Sequence, residues 1–379
     1  MNNSRCTPVL VHPQVNRVAT ELSDLLSRFD RYSEALANQL GHGNTKLTLL
    51  LGLTESEYTE AKSWGFAHLD IIRIAKPTSN FLYFGLKSRF ILSRRGITPT
   101  MLISGDLTSG LLSSLIISKF SKFHVPLQAS IHGELNSVQS SITTRLKLSI
   151  KKKLVGFLLT RVDSVRVVSD FLQEDLISDF NLEPSKLFVA HVPVSYYPSF
   201  SNRNSSRLRI GIVGRLHYER NLVEATRIID SVISDERVDK IMIIGDGPMR
   251  KTLEDWIQSH VFREKISLPG VLTQKEMQLV WSEIDVLLSC AISEGYGLAL
   301  REAVISGATV VARENPGTIE LQQLFPESVS LYKTPPGATK LLLQTNLQSR
   351  LICVENTAHL QKILDERSIN TVALSWISS

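Results

Sequence analysis

Short apolar runs alternate with longer amphipathic stretches along most of the chain. In the first half, Lys46–Leu51, His68–Ile74, Met101–Ser104, Leu127–His132 and Ser164–Ser169 read as strands, with helices over Ser109–Phe120 and Phe171–Asp179. This alternation predicts an α/β domain: a parallel sheet with helices on both faces. Around Tyr197–Arg207 the pattern stops. Pro198–Ser206 is polar and has no hydrophobic period, so it reads as a linker. The pattern then restarts, with strands at Leu208–Val213, Lys240–Ile244, Ile266–Leu268, Val286–Ser289 and Thr309–Ala312. The helices between them are Leu222–Ile233, Met249–Gln258, Gln274–Trp281 and Leu298–Ser306. Two doubly wound domains, 1–197 and 198–355, are therefore expected to face a cleft, with ligands at the carboxyl ends of their strands. The last residues, 356–379, read as helices over His359–Arg367 and Ile369–Ile377 that pack back toward the first domain.

Length and composition agree with two soluble-type domains. At 379 residues the chain is long for one core, and 43% hydrophobic with 21% charged residues is ordinary for a globular protein. Cys6, Cys290 and Cys353 are too few and too far apart for a disulfide framework or a metal site, so a reducing cytoplasm is expected. The stretch Met1–Arg17 is polar and broken by Pro8 and Pro13, unlike a secretory leader. Lys46–Thr54 and Gly110–Ile117 are apolar but shorter than the roughly 20 residues a membrane span needs. Charge, however, is uneven. Residues 1–200 carry 22 Lys and Arg against 16 Asp and Glu, whereas 201–379 carry 20 against 21. Ile71–Gly105 and Leu135–Val162 contain no acid at all.

Four groups of residues carry candidate chemistry. Gly214-Arg215 follows the strand Leu208–Val213, and Arg220 lies five positions on. A glycine at a strand end admits a ligand close to the backbone, and two guanidiniums can converge on a phosphate. The loop lacks G-x-G-x-x-G, so it is not a dinucleotide fingerprint, and two solvated arginines are the alternative. Gly245-Asp-Gly-Pro248 reads as a tight turn. Ser293-Glu294-Gly295-Tyr296-Gly297-Leu298 joins a strand to a helix whose free amides favour an anion, and Glu302 lies about one turn further. Glu294 and Glu302 can contact different parts of one ligand; a helix-stabilising acid beside a solvated one is the alternative. Finally, His132-Gly133 ends a first-domain strand, where a structural histidine is the rival reading. No Asp-x-Asp pair and no His/Cys cluster of metal spacing occurs.

In order, Val213-Gly-Arg-Leu216, Glu219-Arg-Asn221, Gly245-Asp-Gly-Pro248, Leu268-Pro-Gly270, Glu294–Leu298, Glu302-Ala303, Gly307 and Gly317…Glu320 resemble retaining glycosyltransferases of family 4, the group 1 enzymes, of the GT-B fold. Phe29-Asp-Arg-Tyr32, His132-Gly133 and Val167-Val-Ser169 extend the resemblance into the first half, toward bacterial surface-polysaccharide members. It implies two Rossmann-like domains, an N-terminal one for the acceptor and a C-terminal one for a nucleotide sugar. Arg215, Arg220, Gly297 and Leu298 would bind the donor phosphates. Gly214, Gly295, Tyr296 and Glu302 would hold sugar and nucleotide. Glu294 and His132 would be the catalytic pair, with no metal and no cofactor, a UDP- or GDP-sugar donor, and a glycan or lipid-linked acceptor. Three positions depart from the pattern: Arg220 replaces the usual lysine, Pro193-Val194 the usual Asn-Gly, and no Gly-Gly loop is evident near Pro8–Arg17.

The acid-free stretches of the acceptor half either dock on an anionic membrane or form a solvated face; nucleic acid is not expected, since no aromatic-rich basic motif accompanies them. The protein is accordingly expected in the cytoplasm, with peripheral attachment to the inner face of the plasma membrane. Rival functions on the same fold are a nucleotide-sugar epimerase, a disaccharide phosphorylase, and a non-catalytic scaffold.

Overall fold

The computed structural model describes residues 7–13, 22–41, 45–75, 80–121, 124–133, 142–194, 207–345 and 350–377. The Tyr197–Ser206 part of the expected linker lies outside them. The chain divides into two compact units. One comprises the residues up to Gly133, Ile142–Pro193 and Glu366–Ser379, and the other Val194–Asp365 among the described residues. The division therefore falls between Pro193 and Val194 rather than after residue 197.

The first unit contains strands β1 (Pro8–His12), β2 (Leu47–Leu53), β3 (Leu69–Ala75), β4 (Met101–Ser104), β5 (Leu127–Ile131), β6 (Ser164–Val167) and β7 (Leu187–Val189). Helices α1 (Leu22–Leu40), α2 (Glu55–Ser63), α3 (Phe81–Arg94), α4 (Ser109–Lys119), α5 (Ile142–Leu159) and α6 (Asp170–Phe180) connect them. The sheet is parallel in the order β3-β2-β1-β4-β5-β6-β7. An interior strand, β1, was not expected from the sequence. Pro-Val-Leu-Val-His is short and starts with proline, but proline is acceptable as a first strand residue, and Val9–Val11 are buried between neighbours on both sides. β2 is buried along its whole length, the mark of a strand covered on both faces.

The second unit contains β8 (Leu208–Val213), β9 (Val238–Ile244), β10 (Ile266–Gly270), β11 (Val286–Ser289), β12 (Thr309–Arg313) and β13 (Val329–Tyr332). Helices α7 (Leu222–Val232), α8 (Arg250–Ser259), α9 (Gln274–Trp281), α10 (Leu298–Ile305), α11 (Pro316–Leu324) and α12 (Pro335–Gln344) accompany them. The order is β10-β9-β8-β11-β12-β13, again parallel. Strand order reverses at β8/β11, where Ile210 pairs Val286, and this switch point is where such sheets open a crevice. The final helix, α13 (Arg350–Ser375), is continuous where two helices were expected. Ser368, a polar break in the apolar pattern, is buried and accepts a hydrogen bond from the His191 amide, so it does not end the helix.

Candidate functional site

The second unit gathers its functional groups at the β8/β11 switch point. One depression there is lined by Gly214, Arg215 and Arg220 from the loop after β8, Ser289 and Cys290 from the end of β11, Glu294, and Ala299 and Leu300 from α10. Gly214, Arg215, Arg220 and Glu294, singled out from the sequence, thus meet in one place.

Backbone packing explains the glycines. Gly214 has φ +143°, and the carbonyl of this residue lies against Gly245, where a Cβ would stand 1.9 Å from it. A Cβ on Gly247 would stand 2.6 Å from the Leu216 carbonyl. The Leu216 amide donates to the Asp246 carbonyl at 2.9 Å, and the Gly245 amide to the Gly270 carbonyl at 2.8 Å. Gly245-Asp-Gly-Pro248 is therefore more than a turn. It is the surface against which the loop after β8 is held, which only glycine permits.

Arg220 closes a 3-10 turn (Tyr218–Arg220) and is followed by Asn221 in the left-handed region at φ 49°, the N-cap of α7. Arg220 Nη1 donates to Glu294 Oε2. The charge of Glu294 holds the guanidinium above its ordinary range, against the opposing effect of burial. Such a partly buried, charge-assisted pair fixes both groups, and removing either leaves a charge withdrawn from water. Arg215 is more exposed and pairs with Glu219 at 2.9 Å, an interaction worth little by itself.

Glu294 is held from behind as well. A Cβ on Gly317 of α11 would meet the Glu294 carbonyl at 1.8 Å, so α11 packs directly on the backbone of the acidic loop. Gly297, at φ 71°, is the N-cap of α10 and makes no side-chain cap, which leaves the first amides of Leu298 and the residues after it without intrahelical partners. Tyr296 points inward. Its side chain is buried, stacked 4.1 Å from the guanidinium of Arg301, with Gln361 Nε2 donating to its hydroxyl at 3.5 Å. Any ligand contact it makes is left to its backbone. Glu302 is half-buried and, like Gly295, Gly297 and Leu298, is not among the residues lining the depression.

Sequence reasoning missed the layer beneath. Glu224 on α7 accepts from Arg313 Nη1 at 2.6 and 2.7 Å, from Tyr332 Oη at 2.9 Å and from Asn221 Nδ2 at 3.0 Å. Burial pushes the Cys290 thiol up to about 12, so it is a neutral packing group and no nucleophile. No local signal announces this cluster, because its members are far apart in the chain.

His132 lies in the first unit, directly after β5. Burial, and then the charges of Arg166, Arg28 and His12, hold its imidazole down to about 3. His132 is therefore neutral at pH 7. Among the described residues, no group of three His, Cys, Asp or Glu is placed to hold a metal ion. No described helix is long and apolar enough to cross a membrane.

Residues 197–323 match the family described as glycosyl transferases group 1. The chain is 22% identical over 321 residues to an alpha-monoglucosyldiacylglycerol synthase of Streptococcus pneumoniae, covering 80% of this chain and 69% of that protein. It is 27% identical over 209 residues to the GPI3 subunit of a phosphatidylinositol N-acetylglucosaminyltransferase of Saccharomyces cerevisiae, covering 53% of this chain and 46% of the yeast protein. The chain thus spans about half the length of that relative. The pneumococcal O-GlcNAc transferase GtfA, solved with UDP and GlcNAc, superposes with a TM-score of 0.67 at 12% identity, over 100% of both chains. At that identity the likeness establishes the fold.

Proposed function

From the premise that this chain is a group 1 glycosyltransferase of the GT-B fold, we propose that it is a retaining enzyme using a UDP- or GDP-sugar, with a glycan or lipid-linked acceptor, in polysaccharide or glycoconjugate synthesis at the cytoplasmic face of a membrane. The observation that carries this reading is the Arg220–Glu294 pair, set with Gly214, Arg215 and the start of α10 in one depression at the β8/β11 switch point. Arg215, Arg220 and the first amides of α10 face the donor diphosphate, and this reading assigns no metal or cofactor. Glu294 takes the donor sugar, Glu302 the nucleoside ribose, and the neutral His132 a sugar hydroxyl. The bond from the sugar anomeric carbon to the diphosphate oxygen breaks, and the acceptor hydroxyl attacks on the face the diphosphate leaves. The hydroxyl proton passes to the departing phosphate oxygen, giving a glycoside and a nucleoside diphosphate. Preorganised positive charge at that oxygen lowers the barrier.

The membrane assignment rests on α3 and α5. Phe81, Leu82, Tyr83, Leu86 and Phe90 on α3, and Ile150, Leu154 and Phe157 on α5, are exposed within stretches that hold no acid. We assign these exposed residues to contact with an anionic lipid surface.

The donor site is tested with purified full-length protein and a panel of UDP- and GDP-sugars. Wild type should turn over at least one of them with retention of anomeric configuration. Glu294→Gln should lower turnover roughly 100- to 1,000-fold, while nucleotide still raises the melting temperature. Full activity in that variant would remove Glu294 from the site, and an inverted product would remove the retaining mechanism.

A further inference from the structure

The first unit holds a cationic cluster that the donor site does not use. Arg28 and Tyr32 lie one turn apart on α1 and so share a face. Arg166 Nη2 donates to Tyr32 Oη at 2.9 Å, and the Arg166 guanidinium sits 5.1 Å from the Tyr32 ring centroid. Arg166 also donates to the carbonyls of Ala190, at 3.0 Å, and His191, at 2.9 Å, so its position is fixed. On the neighbouring strand Ser130 pairs with Arg166, and His132, just past the end of β5, feels the charges of Arg166, Arg28 and His12. His12 closes β1 with its ring against Gly105, where a Cβ would stand 2.7 Å from the His12 ring carbon Cγ. These groups lie at the carboxyl ends of β1, β5 and β6, beside the β1/β4 switch point of this sheet.

Around Arg28 the cations Arg166 and Arg31 outnumber the carboxylate of Asp24. Among the described residues, the three hydrogen bonds of Arg166 go to neutral oxygens, although the residue is buried. Arg28 Nε is buried without a hydrogen-bond partner. Burial holds the Arg28 guanidinium below its ordinary range; the charges of Arg166 and Arg31 add to that, while Tyr32 and Asp24, one turn back on α1, oppose it. Asp106 is committed elsewhere: it accepts from the amides of Thr108 and Gly110 and from the Ser109 hydroxyl at the start of α4. It lies 3.8 Å from His12 Nδ1, too far for a hydrogen bond, and that nitrogen has no partner. A guanidinium nitrogen withdrawn from water without a hydrogen bond costs free energy that an anion would offset. Guanidinium beside imidazole N–H donors suits the oxygens of a phosphate group.

We propose that this cluster seats an anionic phosphate group of the acceptor, contacted by Arg28, His12 and His132, with Arg166 as the fixed charge behind it. The proposal rests on the sugar-transfer reading, which makes the phosphate a feature of the acceptor. The same chemistry is offered by a phospholipid headgroup or by a soluble phosphate ester.

Binding, not turnover, tests it. The full chain is titrated with inorganic phosphate, glycerol 3-phosphate and UDP, by calorimetry and by thermal shift. Phosphate and glycerol 3-phosphate should bind wild type. Arg28→Met should weaken both about tenfold or more, as expected for the loss of a charge-assisted hydrogen bond, and leave UDP affinity unchanged. Arg215→Ala should do the reverse. Because Arg28→Met removes a cation whose buried Nε has no hydrogen bond and keeps apolar volume, its melting temperature in phosphate-free buffer should equal or exceed that of wild type. A fall there would make Arg28 a structural group and overturn the proposal. So would phosphate binding that survives Arg28→Met or is lost in Arg215→Ala. Failure of wild type to bind any nucleotide or nucleotide sugar would strike the donor reading and leave the phosphate result standing. Tighter binding of dioleoyl phosphatidic acid in detergent micelles than of glycerol 3-phosphate assigns the lipid source, and equal affinity assigns the soluble one; both support the phosphate seat.

Discussion

Gly317 shows how a single residue can be visible in a sequence for the wrong reason. It belongs to the pattern that resembles group 1 enzymes, yet nothing in its neighbours says what it does. The fold supplies the reason: any side chain there would enter the Glu294 carbonyl, 1.8 Å from the ideal Cβ. The same holds for Gly245 and Gly247, which look like turn glycines but are close-approach positions against Gly214 and Leu216. Glu294, Arg215 and Arg220 were legible because their chemistry is in their side chains, whereas Glu224 was not, because its partners Arg313 and Tyr332 are brought to it only by the fold. Gly317→Ala therefore separates packing from chemistry. It should cost about 1–3 kcal/mol in unfolding free energy, as overpacking does, and should also abolish transfer by shifting the Glu294 loop. Thermal unfolding and a nucleotide-sugar assay would check both. A folded variant with wild-type activity would show that the loop needs no such support.

Among the elements, α3 departs most from an ordinary surface helix. Phe84, Gly85, Ser88 and Leu92 face inward, with Gly85 so close to α4 that a Cβ would stand 2.9 Å from Ile116 Cβ. The opposite side nevertheless exposes Phe81, Leu82, Tyr83, Leu86 and Phe90, with Lys87 and Arg94 between or beside them. The absence of acid was readable in the sequence. Which apolar residues reach the surface was not, since helix α3 is apolar nearly all round and only packing decides which side is covered. A basic helix with exposed aromatics suits the headgroup boundary of an anionic bilayer. Full-length protein should co-sediment with vesicles of phosphatidylcholine and phosphatidylglycerol, and much less with phosphatidylcholine alone. The double substitution Leu82→Ser and Phe90→Ser should reduce binding about tenfold or more, since burying each such side chain contributes roughly 1.5–3 kcal/mol. Equal sedimentation with both vesicle types, or no effect of the double substitution, would leave this face solvated.

For the molecule as a whole, helix α13 is the element whose role the sequence left least visible. The expected break near Arg367–Ile369 is absent, and the same helix serves each unit by separate residues. In the second unit, Gln361 accepts from Arg301 Nη1 at 3.3 Å and donates to Asp365 at 2.7 Å, while Asp365 accepts from the Val194 amide at 2.9 Å. This chain of bonds stands behind Tyr296 and hence behind the Glu294 loop. In the first unit, Val372, Ala373 and Trp376 join the core with Leu26, Tyr32 and Leu36. Trp376 meets Tyr32 edge-on, with centroids 6.1 Å apart, and its Nε1 donates to Gln128 at 3.3 Å. A hydrophobic pattern that runs on without a break cannot announce where a helix changes the core it serves. Trp376→Ala should expose that division. It should destabilise the first unit by about 3–5 kcal/mol, as truncation of a buried aromatic does, while nucleotide binding in the second unit persists. Calorimetry with and without UDP would show the transition of the first unit lowered and the UDP-dependent shift retained. Loss of the UDP shift with unchanged stability of the first unit would place Trp376 in the support of the donor site instead.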